Sequence, residues 1–420
     1  MKVLLVCDSY PPATGGLERA VQALAHGLVR AGDEVTVATL GHPSGATADD
    51  PGVGVVGGVR VVGVDGWSRH LDRFSTDPNH RFHPTAPDPA LTMALQHLVD
   101  EIRPDVVHAH GWIVFSCLLL RLPLGSALVH TLHDYGLTCA KKTLVRQQDL
   151  DSCCEGPALG RCLPCGRDAY GAVKGGALVL GLAMTRPLLG RIDMFLPISA
   201  AVRASMPDVG PKRVRIIPSF VADDVANEAS AAVPPDCLPA GEYIVFVGAS
   251  GAHKGVDTLV EAHRQMRHRI PLVVIGPAQV RQHPRSGTPE RPVIHAGSLA
   301  HGPVMASLAS AKVAVVPSRW AEPQGLVAIE AMAVGTPVVA CDVGGLRDVV
   351  SEETGLVVPP GDRARLADAL DRLLDDAALR QRTGVAGAAR ALGYTESAIV
   401  PLVRQAYRAA QRNRHETEST

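Results

Sequence analysis

Val313-Ala-Val-Val-Pro317, followed by Glu322-Pro-Gln-Gly-Leu-Val-Ala-Ile-Glu330, decides the fold of this chain. The first stretch has the apolar, β-branched character of a strand buried in a parallel sheet. The second opens an apolar helix and sets two carboxylates seven residues apart. A strand that ends in a glycine turn and feeds a helix is how open parallel sheets build anion sites, because unpaired helix N–H groups and the helix dipole converge there. A carboxylate cannot itself hold a phosphate, but it accepts hydroxyl bonds well. Glu322 and Glu330 beside such a cradle therefore point to hydroxyls of a sugar and a ribose, hence to a nucleotide sugar. The plainer reading makes Glu322 a helix-capping acid and Glu330 a solvated one. Periodicity opposes its second half, because Leu326, Val327, Ile329, Ala331, Met332 and Val334 surround Glu330, and an unpaired acid in an apolar helix is costly.

Working outward, 420 residues exceed one compact core and predict two domains. Hydrophobic residues make up 46% of the chain and aromatics only 4%, so Val, Leu and Ala do the packing, as in buried parallel sheets. A formal charge of −1 offers no general attraction to nucleic acid, which is not expected as a partner. Met1-Lys2 and five apolar residues before Asp8 read as a strand, too short for a signal-peptide core. The longest apolar runs, Ile113 to Leu120 and Ala177 to Met184, fall short of a membrane span. The expectation is a cytoplasmic protein, with membrane contact at most peripheral at the inner face.

Lys2 to Cys7, Val35 to Leu40, Val59 to Val64, Val106 to Ala109 and Ala127 to Leu132 read as strands of a first Rossmann-like half. A helix carries Leu17, Ala20, Val21, Leu24, Ala25 and Leu28 after the first of them. Arg215 to Pro218 reads as a further short strand. A second βα series follows, with strands at Tyr243 to Gly248, Leu272 to Ile275, Val293 to Ala296, Val313 to Val316 and Pro337 to Ala340. The predicted organisation is a first domain over 1–222 with a Cys-rich insertion at about 136–170, and a linker over 223–240 rich in Ala, Asp and Pro. A second domain then spans 241–396, before a last amphipathic helix at 397–412 and a disordered polar tail at 413–420.

Four further clusters carry candidate chemistry. Gly15-Gly16 lies between the first strand and its helix, where a ligand could approach the backbone; a simple tight turn is the alternative. Its spacing is not the three-glycine dinucleotide fingerprint, so a nicotinamide cofactor is not expected. Gly248 to Asp257 occupies the equivalent turn of the second half and holds Lys254, one of seven lysines in the chain. A cation at a helix start is unfavourable without an anion to answer it, so Lys254 reads as a phosphate ligand rather than a solvated side chain. His108 and His110 share a strand face, and His133, Asp134 and Tyr135 end the next strand at the same mouth. A metal pair or satisfied core histidines both fit. Cys139, Cys153, Cys154, Cys162 and Cys165 lie in one loop-like stretch, where structural zinc on Cys139, Cys153, Cys162 and Cys165, free thiols, or a disulfide are all open.

Together, the Gly15-Gly16 turn, the His110 strand end, Gly248 to Asp257 and Pro317 to Gly335 resemble the retaining glycosyltransferases of family four, also called group 1. The likeness covers nearly the whole chain in order, and Glu322 to Val339 is its most specific piece. The stretch from His133 through Cys165 is similar to a cysteine-bearing subset of that family. The resemblance implies a GT-B α/β architecture: two Rossmann-like domains facing each other across a cleft, with a C-terminal helix crossing back to the first. It implies no catalytic metal, a donor that is a nucleoside diphosphate (UDP or GDP) sugar, and a small or lipid-linked acceptor. Lys254 would meet the pyrophosphate, Glu330 the ribose, and Glu322 the transferred sugar. Backbone groups of Gln324, Gly325 and Leu326 would hold phosphate and sugar oxygens. Gly297, Ser298 and Leu299 would lie against the base, Gly15 and Gly16 near the diphosphate, and His110 by the donor sugar at the reaction centre. His133, Asp134 and Tyr135 fall on the acceptor side. Two positions depart from the family pattern. Ala249 stands where an arginine is usual, leaving Arg319 as a candidate substitute, and Gln324 replaces an aromatic residue. Rival readings are an epimerase or phosphorylase on this architecture, or a non-catalytic sugar-nucleotide-binding protein with a zinc knuckle.

Overall fold

The computed structural model describes residues 1–11, 15–41, 53–67, 69–70, 83–146, 149–154, 156–277 and 285–418, without the side chains of 149–153, 285–286 and 417. The chain forms two compact units. One comprises Met1–Gln147, Cys154–Ser219 and Glu396–Thr420, the other Gln148–Cys153 and Phe220–Thr395.

In the first unit the strands are β1 (Lys2–Cys7), β2 (Glu34–Leu40), β3 (Val53–Val56), β4 (Val59–Val64), β5 (Val106–His110) and β6 (Ala127–Leu132). Short strands β7 (Val145–Arg146) and β8 (Asp149–Cys153) lie outside the main sheet, and β9 (Met194–Pro197) completes it. The order is β3-β4-β2-β1-β5-β6-β9, parallel except for the β3–β4 hairpin. β1 and β5 are almost wholly buried, which is why they read as continuous apolar runs. Helix Gly16–Arg30 returns along the sheet on Val21, Leu24, Ala25 and Leu28.

The second unit repeats the plan. Its strands are β10 (Ile244–Val247), β11 (Leu272–Ile275), β12 (Arg285–Thr288), β13 (Arg291–Gly297), β14 (Val313–Val316), β15 (Val338–Cys341) and β16 (Gly355–Val358). Their order is β12-β13-β11-β10-β14-β15-β16, with β12–β13 the antiparallel pair. Each sheet reverses direction of winding beside its first strand, between β1 and β5 and between β10 and β14. Such switch points open a crevice at the carboxyl ends of the strands.

Helix Glu396–Glu418 belongs to the first unit, packing on helix Gly16–Arg30, β6 and β9. Tyr407 on this helix is wholly buried and lies 2.8 Å from His108 Nδ1, while Arg30 pairs with Glu396 and Arg404 with Asp33 at 2.9 Å.

Four expectations are revised. Residues 215–218 do not form a strand, although Arg215 and Ile217 donate to Phe195 O and Pro197 O at the sheet edge; Pro218 has no N–H to extend that ladder. The expected linker contains helix Val225–Ala231, held by Val225 and Ala229, a stripe of one turn that is too short to show periodicity. The tail is helical through Glu418, because Asn413 Nδ2 donates to Asp193 O at 3.1 Å and Arg414 pairs with Glu418 at 2.8 Å. The Cys162–Cys165 pair lies within helix Leu159–Tyr170 rather than in a loop.

Candidate active site

In the second unit, three neighbouring strands end in glycines: Gly248 after β10, Gly276 after β11 and Gly297 at the end of β13, with φ of 152°, 140° and 70°. A Cβ on Gly276 would lie 2.1 Å from Gly248 O, so the strand ends meet backbone to backbone. After β10 the chain turns through Ala252–Lys254 to Gly255, whose φ is 75° and whose Cβ would sit 1.9 Å from Pro317 O. That close approach carries Lys254 to the end of β14.

There Lys254 Nζ donates to Glu322 Oε1 at 2.8 Å and to Oε2 at 3.0 Å. Ser318 Oγ and Trp320 Nε1 donate to Oε2 at 2.8 and 2.9 Å, so the carboxylate is held from three directions. Among the described residues Oε1 receives only Lys254, which leaves it capacity for a sugar hydroxyl. Lys254 also lies 5.1 Å above the Trp320 ring. His253, beside this pair, is lowered below its usual pKa by burial and by the Lys254 charge.

The loop bearing Glu322 is clamped from behind. Gly345 N donates to Glu322 O at 2.7 Å, and side chains at Gly344 or Gly345 would collide with the backbone of Glu322 and Pro323. Gly325, at φ 91°, is the N-cap of helix Leu326–Ala333, and Gln324 before it is buried. The helix therefore presents its first N–H groups where the sequence places an anion. One turn along, Glu330 is 2% exposed and meets His301 Nε2 at 3.2 Å. Arg319 N donates to His253 O, which places the residue along the same turn. Ser298 and Leu299 follow Gly297 before helix His301–Ser310.

In the first unit, Gly15 is the extended N-cap of helix Gly16–Arg30; Pro12, Ala13 and Thr14 fall outside the described residues. A Cβ on Gly15 would meet Glu18 Oε2 at 2.2 Å, whereas Gly16 is open. Glu18 is buried against Ser9 Oγ. Asp8 accepts from Trp112 N and Ile113 N at 2.8 and 2.7 Å, which pins the Gly111 turn after β5.

His108 and His110 stack with ring centroids 4.1 Å apart. His108 is satisfied by Tyr407 and by Thr131 at 2.7 Å, as a core histidine. His110 Nδ1 pairs with His133 Nε2 at 2.9 Å, and its buried Nε2 has no hydrogen-bond partner among the described residues. Burial first, and then the neighbouring imidazoles, hold His108 and His110 well below the usual pKa, while burial lowers His130 and His133 to about 4. The array is neutral near pH 7, so His110 offers a neutral imidazole edge. Asp134 Oδ1 accepts from Gly136 N at 2.7 Å, and Tyr135 is buried.

Cys139, Cys162 and Cys165 are free thiols, and among the described residues no three His, Cys, Asp or Glu side chains form a group able to hold a metal. The Cys153 side chain lies outside the described residues. Ser318, Trp320, His301, Asp8, Gly276 and the Gly344-Gly345 pair escaped the sequence reading. Of these, the two adjacent glycines at 344–345 carry the kind of signal already recognised at Gly15-Gly16.

Two doubly wound sheets, with a lysine-held glutamate and a helix N-terminus at one switch point, define a sugar-transferring enzyme of the two-domain α/β class. The chain belongs to glycosyltransferase family four: residues 14–225 match Glycosyltransferase Family 4 and residues 241–376 match Glycosyl transferases group 1. It is 31% identical to a D-inositol 3-phosphate glycosyltransferase of Arthrobacter sp. (strain FB24), over 94% of this chain and 90% of that one. It is 29% identical to a glycogen synthase of Mycobacterium tuberculosis (strain ATCC 25618 / H37Rv), over 100% and 97%. Among solved structures, sucrose-phosphate synthase from Thermosynechococcus elongatus superposes with a TM-score of 0.66 at 24% identity, covering 97% and 98%. Anabaena HepE in complex with UDP gives 0.60 at 17%, covering 96% and 99%. These two share the GT-B fold.

Proposed function

We propose that this glycosyltransferase is a retaining, metal-independent enzyme that moves a hexosyl unit from a nucleoside diphosphate sugar to a hydroxyl of a small-molecule or lipid-linked acceptor. The observation that carries the reading is the Lys254–Glu322 pair, seated at a switch point beside the free N–H groups of helix Leu326–Ala333. As the bond to the diphosphate loosens, negative charge grows on the leaving oxygens and positive charge on the anomeric carbon. Lys254 and the helix N-terminus answer the first, each preorganised donor contributing on the order of 3 kcal/mol. Glu322, held by Lys254, Ser318 and Trp320, accepts a hydroxyl of the transferred sugar and lies close enough to Lys254 to orient it.

Glu330 would accept the ribose hydroxyls, with His301 steadying its carboxylate. His110 would hold a hydroxyl of the donor sugar through its partnerless Nε2. In the retaining course, the acceptor attacks from the leaving group's own face and passes its proton to a leaving phosphate oxygen, so no protein nucleophile is required. A panel of UDP-, GDP- and ADP-sugars, assayed for acceptor-dependent release of nucleoside diphosphate, tests this reading. Release with one donor class, lost in Lys254→Ala and Glu330→Gln, is the expected outcome. Release that survives both substitutions would overturn the site, and an inverted anomeric product would overturn retention.

A further inference from the structure

Helix Ala172–Thr185 is apolar apart from Lys174 near its start and Thr185 at its end. Its inner face is tightly seated on the first unit: Thr85 Oγ1 donates to Leu178 O at 2.7 Å, Thr185 Oγ1 donates to Thr85 O at 3.3 Å, and a Cβ on Gly175 would lie 2.1 Å from Gly166 O of helix Leu159–Tyr170. Its outer face carries Val173, Ala177, Leu180 and Met184, spaced by four, three and four residues along one stripe. Val173, Leu180 and Met184 are 87%, 47% and 77% exposed. A helix with no polar side is expected in a core or against lipid, and this outer face is not in a core. Beside its first turn lies a cavity of about 620 Å³ lined by Pro84, Ala86, Tyr170, Val173, Lys174 and Leu178, within the size range of ligand sites.

Charge identifies the occupant. Residues 159–191 hold Arg161, Arg167, Lys174, Arg186 and Arg191 against a single acid, Asp168, in a chain whose net charge is −1. From Ala172 to Arg191 there is no acid at all. A symmetric contact between two copies would bring these cations face to face, which disfavours a second copy of the chain. An apolar stripe flanked in the sequence by cations instead matches an anionic lipid surface. The segment Ala172–Arg191 is long and apolar enough to span a bilayer by composition, with a third of it buried. However, the α-helix has only 14 residues, about 21 Å at 1.5 Å each, short of the roughly 30 Å hydrocarbon core. Thr85 and Arg213 also tie the middle of the segment, at Leu178 O, and its C-terminal end, at Leu189 O, to the first unit.

We propose that this helical hairpin docks on an anionic bilayer, with Val173, Ala177, Leu180 and Met184 in the boundary between headgroups and acyl chains and a lipid chain seated in the groove at Tyr170 and Lys174. This membrane contact goes beyond the transfer reaction and stands whether or not the acceptor is itself a lipid. Flotation of the full chain with vesicles of phosphatidylcholine alone, or of equal parts phosphatidylcholine and phosphatidylglycerol, tests it. Binding to the anionic vesicles should exceed that to neutral ones by about tenfold and weaken with salt. Val173→Ser/Leu180→Ser/Met184→Ser should lower it by at least about tenfold, with thermal midpoint and nucleotide release unchanged. The single Val173→Ser, at a fully solvated position, serves should the triple variant fail to fold, and should lower binding severalfold. Failure of the parent chain to float, or equal flotation of parent and folded variants, overturns the proposal. So does a dimer in light scattering that the triple variant dissolves, because a second copy would then cover the stripe.

Discussion

Replacing Lys254 by alanine separates the two things this side chain does. Its ammonium sits 2.8 and 3.0 Å from the two Glu322 oxygens, with the lysine side chain 25% and the glutamate side chain 12% exposed. Breaking a fully buried pair costs about 3–5 kcal/mol, but here Glu322 keeps Ser318 and Trp320 as donors and some access to water. The expected folding cost is therefore about 1–2 kcal/mol, a fall of roughly 3–6 °C in the melting of a unit of this size. Catalysis should suffer more. A preorganised cation on the leaving diphosphate contributes about 3 kcal/mol to the transition state, or about 150-fold in kcat at saturating donor. Initial rates of nucleoside diphosphate release, measured beside the affinity for free nucleoside diphosphate, give both quantities. A Lys254→Ala/Glu322→Gln double variant completes the comparison. If Lys254 only neutralised Glu322, removing both charges would restore the rate, whereas a cation acting on phosphate leaves the double variant as slow as the single. A folded Lys254→Ala enzyme with kcat within about threefold of the parent would refute the reasoning.

Three other outcomes follow from the same geometry. His130 is buried, donates from Nδ1 to Ala109 O at 3.0 Å, and has its pKa lowered from 6.5 to about 4, chiefly by burial. The unfolded chain then binds more protons between those values, so stability present above about pH 6.5 is lost as the pH falls towards 4. This amounts to about 3 kcal/mol, and denaturant titration across that window should show it diminished in His130→Gln. Gly255→Ala combines a φ of 75° with a Cβ 1.9 Å from Pro317 O, so it should cost at least about 2–3 kcal/mol and displace Lys254; an unchanged melting temperature would contradict the close approach. On the proposed reading that protein groups answer the diphosphate charge, excess EDTA should leave transfer unchanged, and a loss restored by Mg²⁺ would show that a metal shares the diphosphate.

Much of the fold was legible because the central strands are short and mostly apolar. β1, β4, β6, β11 and β14 have the ends that the residue pattern predicts. Of the strands that escaped, β7 and β8 form a separate pair and the others are at the sheet margins. β3, β12 and β16 are four residues each, and β9 is a four-residue run whose meaning depends on β6 beside it. The site divides in the same way. Glu322, Lys254 and His110 stood out because a charge or an imidazole at or just beyond the end of an apolar strand has few structural uses, and Glu330 because it lies within an apolar helix. Ser318, Trp320, His301 and Gly344-Gly345 were not, because their roles come from contacts across the chain: His301 to Glu330 spans 29 residues, and the Gly344-Gly345 clamp reaches back to Glu322 from the next strand's turn. The cysteines misled for a related reason. A two-residue gap fits a knuckle, but the same gap is also one helical turn, and the segment folds as helix Leu159–Tyr170.

The repeated strand order gives a physical reason for the division of labour between the two units. Both place a glycine-bearing turn and a neighbouring strand end at the switch point, so both offer backbone N–H groups and a helix start there. The side chains added to this common frame differ in charge. The second unit adds Lys254 and two buried carboxylates, which suit a diphosphate and the hydroxyls on either side of it. The first adds four imidazoles held neutral by burial, with no lysine or arginine among their hydrogen-bond partners in the described residues, and so presents hydrogen-bonding edges without net charge. A neutral edge suits a sugar hydroxyl near a carbon that becomes positive, where an imidazolium would raise the barrier. Charge is thus gathered at the switch point of the second unit and kept from the imidazoles at that of the first.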